Sequence, residues 1–147
     1  AWAGGDGLVG RFWNARADFS GDPVHEQVDE RINFWWGDGS PDPAVASDDF
    51  SARWTGVLRP RQDGAYRFRI GCRSGARLLL DNEVVFDGWT ARQEWNESNP
   101  ITLEAGRRYA IVLETHHDQG GAGIRLQWKG PDQEEASFPG PEVLFSR

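Results

Sequence analysis

The segment Asp48-Asp49-Phe50-Ser51-Ala52-Arg53-Trp54-Thr55-Gly56 constrains this chain more than any other. Its apolar and polar side chains alternate, and a two-residue period fits an extended strand with one buried face. Phe50, Ala52 and Trp54 fall on one side, and Ser51, Arg53 and Thr55 on the other. Pro60 and Asp63-Gly64 then mark a turn, and the chain returns as Tyr66-Arg67-Phe68-Arg69-Ile70, again alternating. Further strands are expected at Leu8–Trp13, 77–80, 84–86, 101–103 and 108–115, and around Ile124, Leu126 and Trp128. Asp81-Asn82-Glu83 reads as a tight hairpin turn in which Asn82 tolerates positive φ. No 3.6-residue apolar period is sustained, so short strands at regular spacing predict an all-β sandwich or barrel. Phe50, Trp54, Tyr66, Phe68, Ile70, Leu78, Leu80, Ile111, Leu113, Ile124, Leu126 and Trp128 form the expected core. The stretch from Asn14 to about Asp48 is expected to be a long loop whose island Ile32-Asn33-Phe34-Trp35-Trp36 tucks rings against the sheet. Val143-Leu144-Phe145 is a candidate last docking strand.

At 147 residues the chain fits one domain, expected over 1–147 with long loops, and is long enough for a real core. Eighteen Gly and eight Pro suit many turns. A formal net charge of −7 argues against a nucleic-acid backbone or an anionic membrane as partner. No apolar run approaches the roughly 18 residues that a membrane-spanning helix needs. The start, Ala1-Trp2-Ala3-Gly4-Gly5-Asp6, has neither the basic nor the apolar region of a signal peptide and reads as a domain boundary or mature terminus. The single Cys72 permits no internal disulfide and reads as a small strand residue.

Six segments together resemble the PA14 domain family. They are Gly7-Leu8-Val9-Gly10-Arg11-Phe12-Trp13, Asp48 to Gly56, and Asp63-Gly64-Ala65-Tyr66-Arg67-Phe68. Gly75-Ala76-Arg77-Leu78-Leu79-Leu80-Asp81, Leu103-Glu104-Ala105-Gly106-Arg107-Arg108-Tyr109 and Gly121-Ala122-Gly123-Ile124-Arg125-Leu126-Gln127-Trp128 complete the set. The match runs from about Gly7 to Leu144, in the family's order. The resemblance implies an antiparallel two-sheet β-sandwich, used as a module in secreted glycosidases, adhesins and toxins, and hence a secreted or cell-surface location. Many members bind carbohydrate, some through calcium; others are structural modules.

The resemblance also locates a departure. Calcium-dependent members carry two adjacent aspartates and a Gly after the strand that matches Tyr66–Ile70. Calcium takes six to eight oxygens, and paired carboxylates supply both charge and geometry. Here the matching segment is Cys72-Arg73-Ser74-Gly75. A guanidinium at that position repels the ion, so neither a calcium cofactor nor any other metal is expected. Asp48-Asp49 lies before the Phe50 strand and reads as a solvated strand start, not as that pair. His116-His117-Asp118 reads mainly as a polar loop: adjacent His on a strand point to opposite sides and do not chelate one ion. No carboxylate pair is marked as a glycosidase acid and nucleophile, and there is no nucleophile elbow or phosphate loop.

The eight Trp offer another chemistry. A flat indole stacks on the C–H face of a pyranose while Asn, Gln, Asp and Arg bond its hydroxyls. Trp89, Arg92, Gln93 and Trp95 supply these types in the polar, loop-like segment 87–99, although both rings equally suit pinning that loop to the sheet. Trp35 and Trp36 alternate, so one is expected inside and the other is a candidate platform. Two functions follow. One is a non-catalytic carbohydrate-binding module acting without calcium, with Arg73, Ser74, Trp89, Arg92, Trp95, His117 and Asp118 as candidate ligand contacts. The other is a structural or assembly module that packs against a neighbouring domain and binds no sugar. The partner is accordingly a glycan or polysaccharide, or a neighbouring domain, with no nucleic acid and no membrane insertion.

Overall fold

The computed structural model describes residues 5–89, 95–118 and 120–147. Twelve strands form in chain order: β1 (Leu8–Trp13), β2 (His25–Asp29), β3 (Asn33–Gly37), β4 (Phe50–Leu58), β5 (Gly64–Cys72), β6 (Gly75–Leu80), β7 (Glu83–Gly88), β8 (Trp95–Glu97), β9 (Ile101–Leu103), β10 (Tyr109–His117), β11 (Ala122–Lys129) and β12 (Leu144–Phe145). No helix occurs among the described residues.

Every pairing described is antiparallel, and two sheets result. The larger runs β2-β1-β4-β10-β6-β7, with β12 beside β4. The smaller runs β3-β11-β5-β8, with β9 beside β5. The alternation explains the layering. Phe50, Ala52 and Trp54 of β4 and Ile111 and Leu113 of β10 face Phe68 and Ile70 of β5 and Ile124 and Leu126 of β11, and all are buried in one core. All twelve expected core residues are in it. Leu8, Phe12, Ile32, Leu58 and Leu103 join them. The β6–β7 turn has Asp81 at φ 50° and Asn82 at φ 66°, the two consecutive positive values of a type I′ hairpin.

Three segments differ from the expectation: β10 runs on through His116 and His117, which read as polar loop, and buries His117 to 4% exposure. The stretch 14–48 is not one long loop: it carries β2, which adds an edge to the larger sheet, and β3, which adds an edge to the smaller. His25-Glu26-Gln27-Val28-Asp29 lacks an apolar face because, as an edge strand, it buries only half of each side chain on one side and exposes the other. Likewise the segment 87–99 contains β8, paired with β5 through Arg69↔Glu97, Ile70↔Asn96 and Gly71↔Trp95.

Cys72 closes β5 on the inner side, 6% exposed. Burial pushes its thiol up to about 11 from an ordinary 9.0. The folded chain therefore keeps the neutral thiol where the unfolded chain ionises. The stability so contributed is complete below pH 9.0 and is lost as pH rises toward 11. A disulfide reagent at pH 8 should react with Cys72 only as fast as the protein opens. Immediate stoichiometric reaction would contradict this burial.

Candidate functional site

Two of the chain's crossings between the sheets lie side by side at one end of the sandwich: Arg73-Ser74, from β5 to β6, and the connection from β10 to β11. These crossings bring Ser74, His117 and Asp118 together. Ser74 is 7% exposed, and its Oγ accepts the Asp118 backbone N–H at 3.1 Å. The Asp118 carbonyl accepts the Asp49 N–H at 2.9 Å. His117 is 4% exposed, its ring lies 5.4 Å from that of Phe50, and its Nε2 donates to the Gly120 carbonyl at 3.0 Å. His116 points the other way, as a strand requires. Its Nε2 donates to the Trp89 carbonyl at 2.7 Å, and its Nδ1 lies 2.8 Å from Asp118 Oδ1. The polar atoms of this cluster are directed at one another and hold the two crossings in register. Among the described residues, no group of three or more His, Cys, Asp and Glu side chains is arranged to hold a metal ion.

Trp89 lies on the outer side of the larger sheet. Arg77 covers its ring at 4.4 Å and the His116 ring meets it edge-on at 4.6 Å. Arg53, Glu114 and Arg77 stand side by side on β4, β10 and β6. Arg53 reaches Glu114 Oε2 at 2.6 Å and Arg77 reaches Oε1 at 2.8 Å. Arg53 lies 4.4 Å over the Phe19 ring. On this face both guanidiniums are thus paired to one carboxylate and capped by rings.

The outer side of the smaller sheet is built differently. Trp35 of β3 is 57% exposed. Its indole lies across β11, where a Cβ at Gly123 would come within 2.6 Å of Cε3 and one at Gly121 within 3.0 Å of Cη2. Trp95 of β8 lies against Gly71 in the same manner, 3.1 Å from where a Cβ would stand. Glycine at these outward positions lets both rings settle onto the backbone. Arg125 and Arg69 each lie 4.5 Å from the Trp95 ring, and Arg73 stands 5.8 Å from the Trp35 centroid. Trp35, Gly71, Cys72, Arg73, Gly123 and Arg125 line a shallow recess.

The expected contacts are therefore distributed over three places. Arg73 and Trp95 belong to this recess and its flank; Ser74, His117 and Asp118 belong to the crossing; Trp89 belongs to the opposite sheet. Arg92 lies outside the described residues. Trp35 was legible as a candidate platform, but its association with Arg73, Gly123 and Arg125 was not. The available signal was glycine at outward positions of β5 and β11, directly opposite tryptophans on β8 and β3.

The sequence profile of the PA14 domain matches residues 4–139. The chain belongs to the PA14 domain family. This PA14 domain is 33% identical over 142 residues to the anti-sigma-I factor RsgI3 of Acetivibrio thermocellus, a match covering 97% of the chain and 22% of that protein. It superposes with a TM-score of 0.88 on an anti-sigma factor domain-containing protein from Clostridium clariflavum, at 33% identity, covering 98% of the PA14 domain and 49% of that chain. The PA14 sugar-binding domain from an RTX adhesin shares the fold, with a TM-score of 0.76 at 16% identity, covering 97% and 99% of the two chains. The PA14 domain thus spans about a fifth of the curated relative and about half of the solved one.

Proposed function

We propose that this PA14 domain is a non-catalytic carbohydrate-binding module of a larger secreted or cell-surface protein, and that the recess beside Trp35 receives the sugar. The observation that carries this reading is the exposed Trp35 indole, laid over Gly121 and Gly123 with the Arg73 guanidinium 5.8 Å from its centroid. A flat ring of this kind stacks on the C–H face of a pyranose, and charged donors beside it bond the hydroxyls. The recess itself holds only about 10 Å³, so the sugar is placed on the exposed face of the indole above it and not inside an enclosed pocket. The family includes a domain described as sugar-binding, in an RTX adhesin, which supports the ligand class.

Calcium has no role in this reading. Ser74 Oγ is buried and occupied by the Asp118 N–H, Asp118 lies against His116, and Arg73 holds a cation at the turn. These contacts and the added cation support a reading without calcium. Millimolar Ca²⁺ is expected to leave the melting temperature unaltered, because a ligand that does not bind the native state shifts nothing by mass action. A calcium-induced rise abolished by Ser74→Ala would contradict this.

A glycan array probed with and without chelator tests the proposal. Binding that survives chelation is expected. The second reading, an assembly module, has its own support in the relatives, of which this PA14 domain is only a part. Val28 and Val84, each more than half exposed on the edge strands β2 and β7, offer apolar area to a neighbouring domain. No binding to any glycan, together with stabilisation by the adjoining segment of the parent protein, would favour that reading.

A further inference from the structure

The two outer faces of the sandwich treat their arginines in opposite ways. On the larger sheet, Arg11 meets Glu26 at 3.0 Å, and Arg53 and Arg77 share Glu114. On the smaller sheet, β5 and β11 present Arg67, Arg69, Arg125 and Lys129 outward, and Arg73 follows at the turn. Arg69 lies on the Trp95 ring and reaches Gln127 Oε1 at 3.2 Å; Arg67 reaches the Ser98 carbonyl at 3.4 Å; Arg73 stands beside the Trp35 ring. Rings, an amide and a carbonyl occupy the places that carboxylates hold on the other sheet. Among the described residues, none of these three arginines has an ion-pair partner. Glu97 is the one carboxylate on the outward positions of β5, β8 and β11, and Glu134 and Glu135 gather at the Lys129 end, away from Trp35. The chain carries a net charge of −7, yet among the described residues the outward positions of β5 and β11 hold Arg67, Arg69, Arg125 and Lys129 and no carboxylate.

We propose that the Trp35 recess selects acidic sugars, namely uronic acid residues of a polysaccharide. This rests on the carbohydrate reading above. A uronate offers what the site is shaped to take. Its ring has a C–H face for Trp35. Its carboxylate leaves from the ring edge, where the Arg73 guanidinium stands. A planar fork of N–H donors matches a carboxylate bidentately. Arg73 lies over the Trp35 ring at 5.8 Å from the centroid, farther off than the 4.5 Å of Arg125 over Trp95, so its guanidinium stands close to a sugar placed on that indole. The chain's net charge does not oppose this. Screening confines charge effects to about 8 Å at physiological salt, so the local face decides. A polyuronate carries a single carboxylate per ring.

Affinity electrophoresis in the presence of chelator tests this, with polygalacturonate, its fully methyl-esterified form, a neutral polysaccharide, a sulfated polysaccharide and a DNA oligonucleotide as probes. Esterification keeps the ring and removes the charge. The free acid is expected to bind about tenfold tighter than the ester, as one charge-assisted contact allows. Arg73→Gln should erase most of that ratio by weakening the free acid far more than the ester, while the melting temperature stays unchanged. Arg73→Lys should restore it in part, because the charge remains and the fork is lost. Equal binding of acid and ester, both abolished by Trp35→Ala, would overturn acid selectivity and leave the carbohydrate reading intact. Binding of sulfated polymer or DNA as tight as that of polygalacturonate would also overturn it, in favour of general polyanion attraction. Binding of no polysaccharide would overturn both readings together.

Discussion

Trp54→Ala is expected to lower the stability of the domain by about 3–5 kcal/mol, the range for truncating a large core aromatic. Trp54 is wholly buried at the centre of β4, flanked by Gly10 on β1 and Leu113 on β10. Its ring meets Phe12 edge-on at 5.6 Å and stacks on Phe34 at 6.1 Å, so it links the larger sheet to β3 of the smaller. Its indole N–H donates to Asp29 Oδ2 at 2.8 Å, which also ties down the edge strand β2. Alanine removes the packing and leaves that carboxylate one donor short. Trp54→Phe should cost less, because most of the packing remains and only the hydrogen bond is lost. Urea unfolding of the three proteins measures the difference. An unchanged midpoint in Trp54→Ala would mean that the inward face of β4 has been assigned to the wrong residues.

The second large effect is expected at Glu114. Its carboxylate is 7% exposed as a residue and receives both Arg53 and Arg77. Removing one member of a fully buried ionic group costs about 3–5 kcal/mol. The two arginines here are about one-third exposed, and water can recover part of their solvation. Glu114→Ala is therefore expected to cost about 1–3 kcal/mol, with Glu114→Gln intermediate. Raising the salt concentration should change these values little, since the contact is short and sheltered. A variant as stable as the parent would show that the Arg53–Glu114–Arg77 row contributes nothing net.

The alternating strands were legible because period-two burial writes itself directly into the sequence. Phe50–Trp54 and Tyr66–Ile70 needed no tertiary information. β2 was not legible, because an edge strand with one solvated side demands few apolar residues, and His25 to Asp29 has only Val28. Trp95 likewise looked like part of a loop; its strand is three residues long and exists through its pairing with Arg69–Gly71. The candidate site was half legible. Residue chemistry pointed to Arg73, to Trp95 and to one of Trp35 and Trp36. Which polar residues would be taken up by the crossing could not be read, because Ser74 and Asp118 are 44 positions apart and meet only when both sheets have formed. The seating of Trp35 on Gly123 depends on a register shift between Ala122 and Gly123, a local irregularity that no alternation pattern encodes.

The central claim is that a calcium-independent sugar site lies on the Trp35 face of this PA14 domain. Titrating the ¹⁵N-labelled protein with the glycan selected on the array, in chelator, tests it most directly. The account predicts that the Trp35 and Trp95 indole N–H signals and the Gly71 and Gly123 amides shift together along one binding curve. It further predicts that Trp35→Ala, which removes only a half-exposed ring, keeps a native spectrum and loses at least tenfold in affinity. Shifts confined to Ser74, His117 and Asp118, undiminished in Trp35→Ala, would contradict it and return the site to the crossing between the sheets.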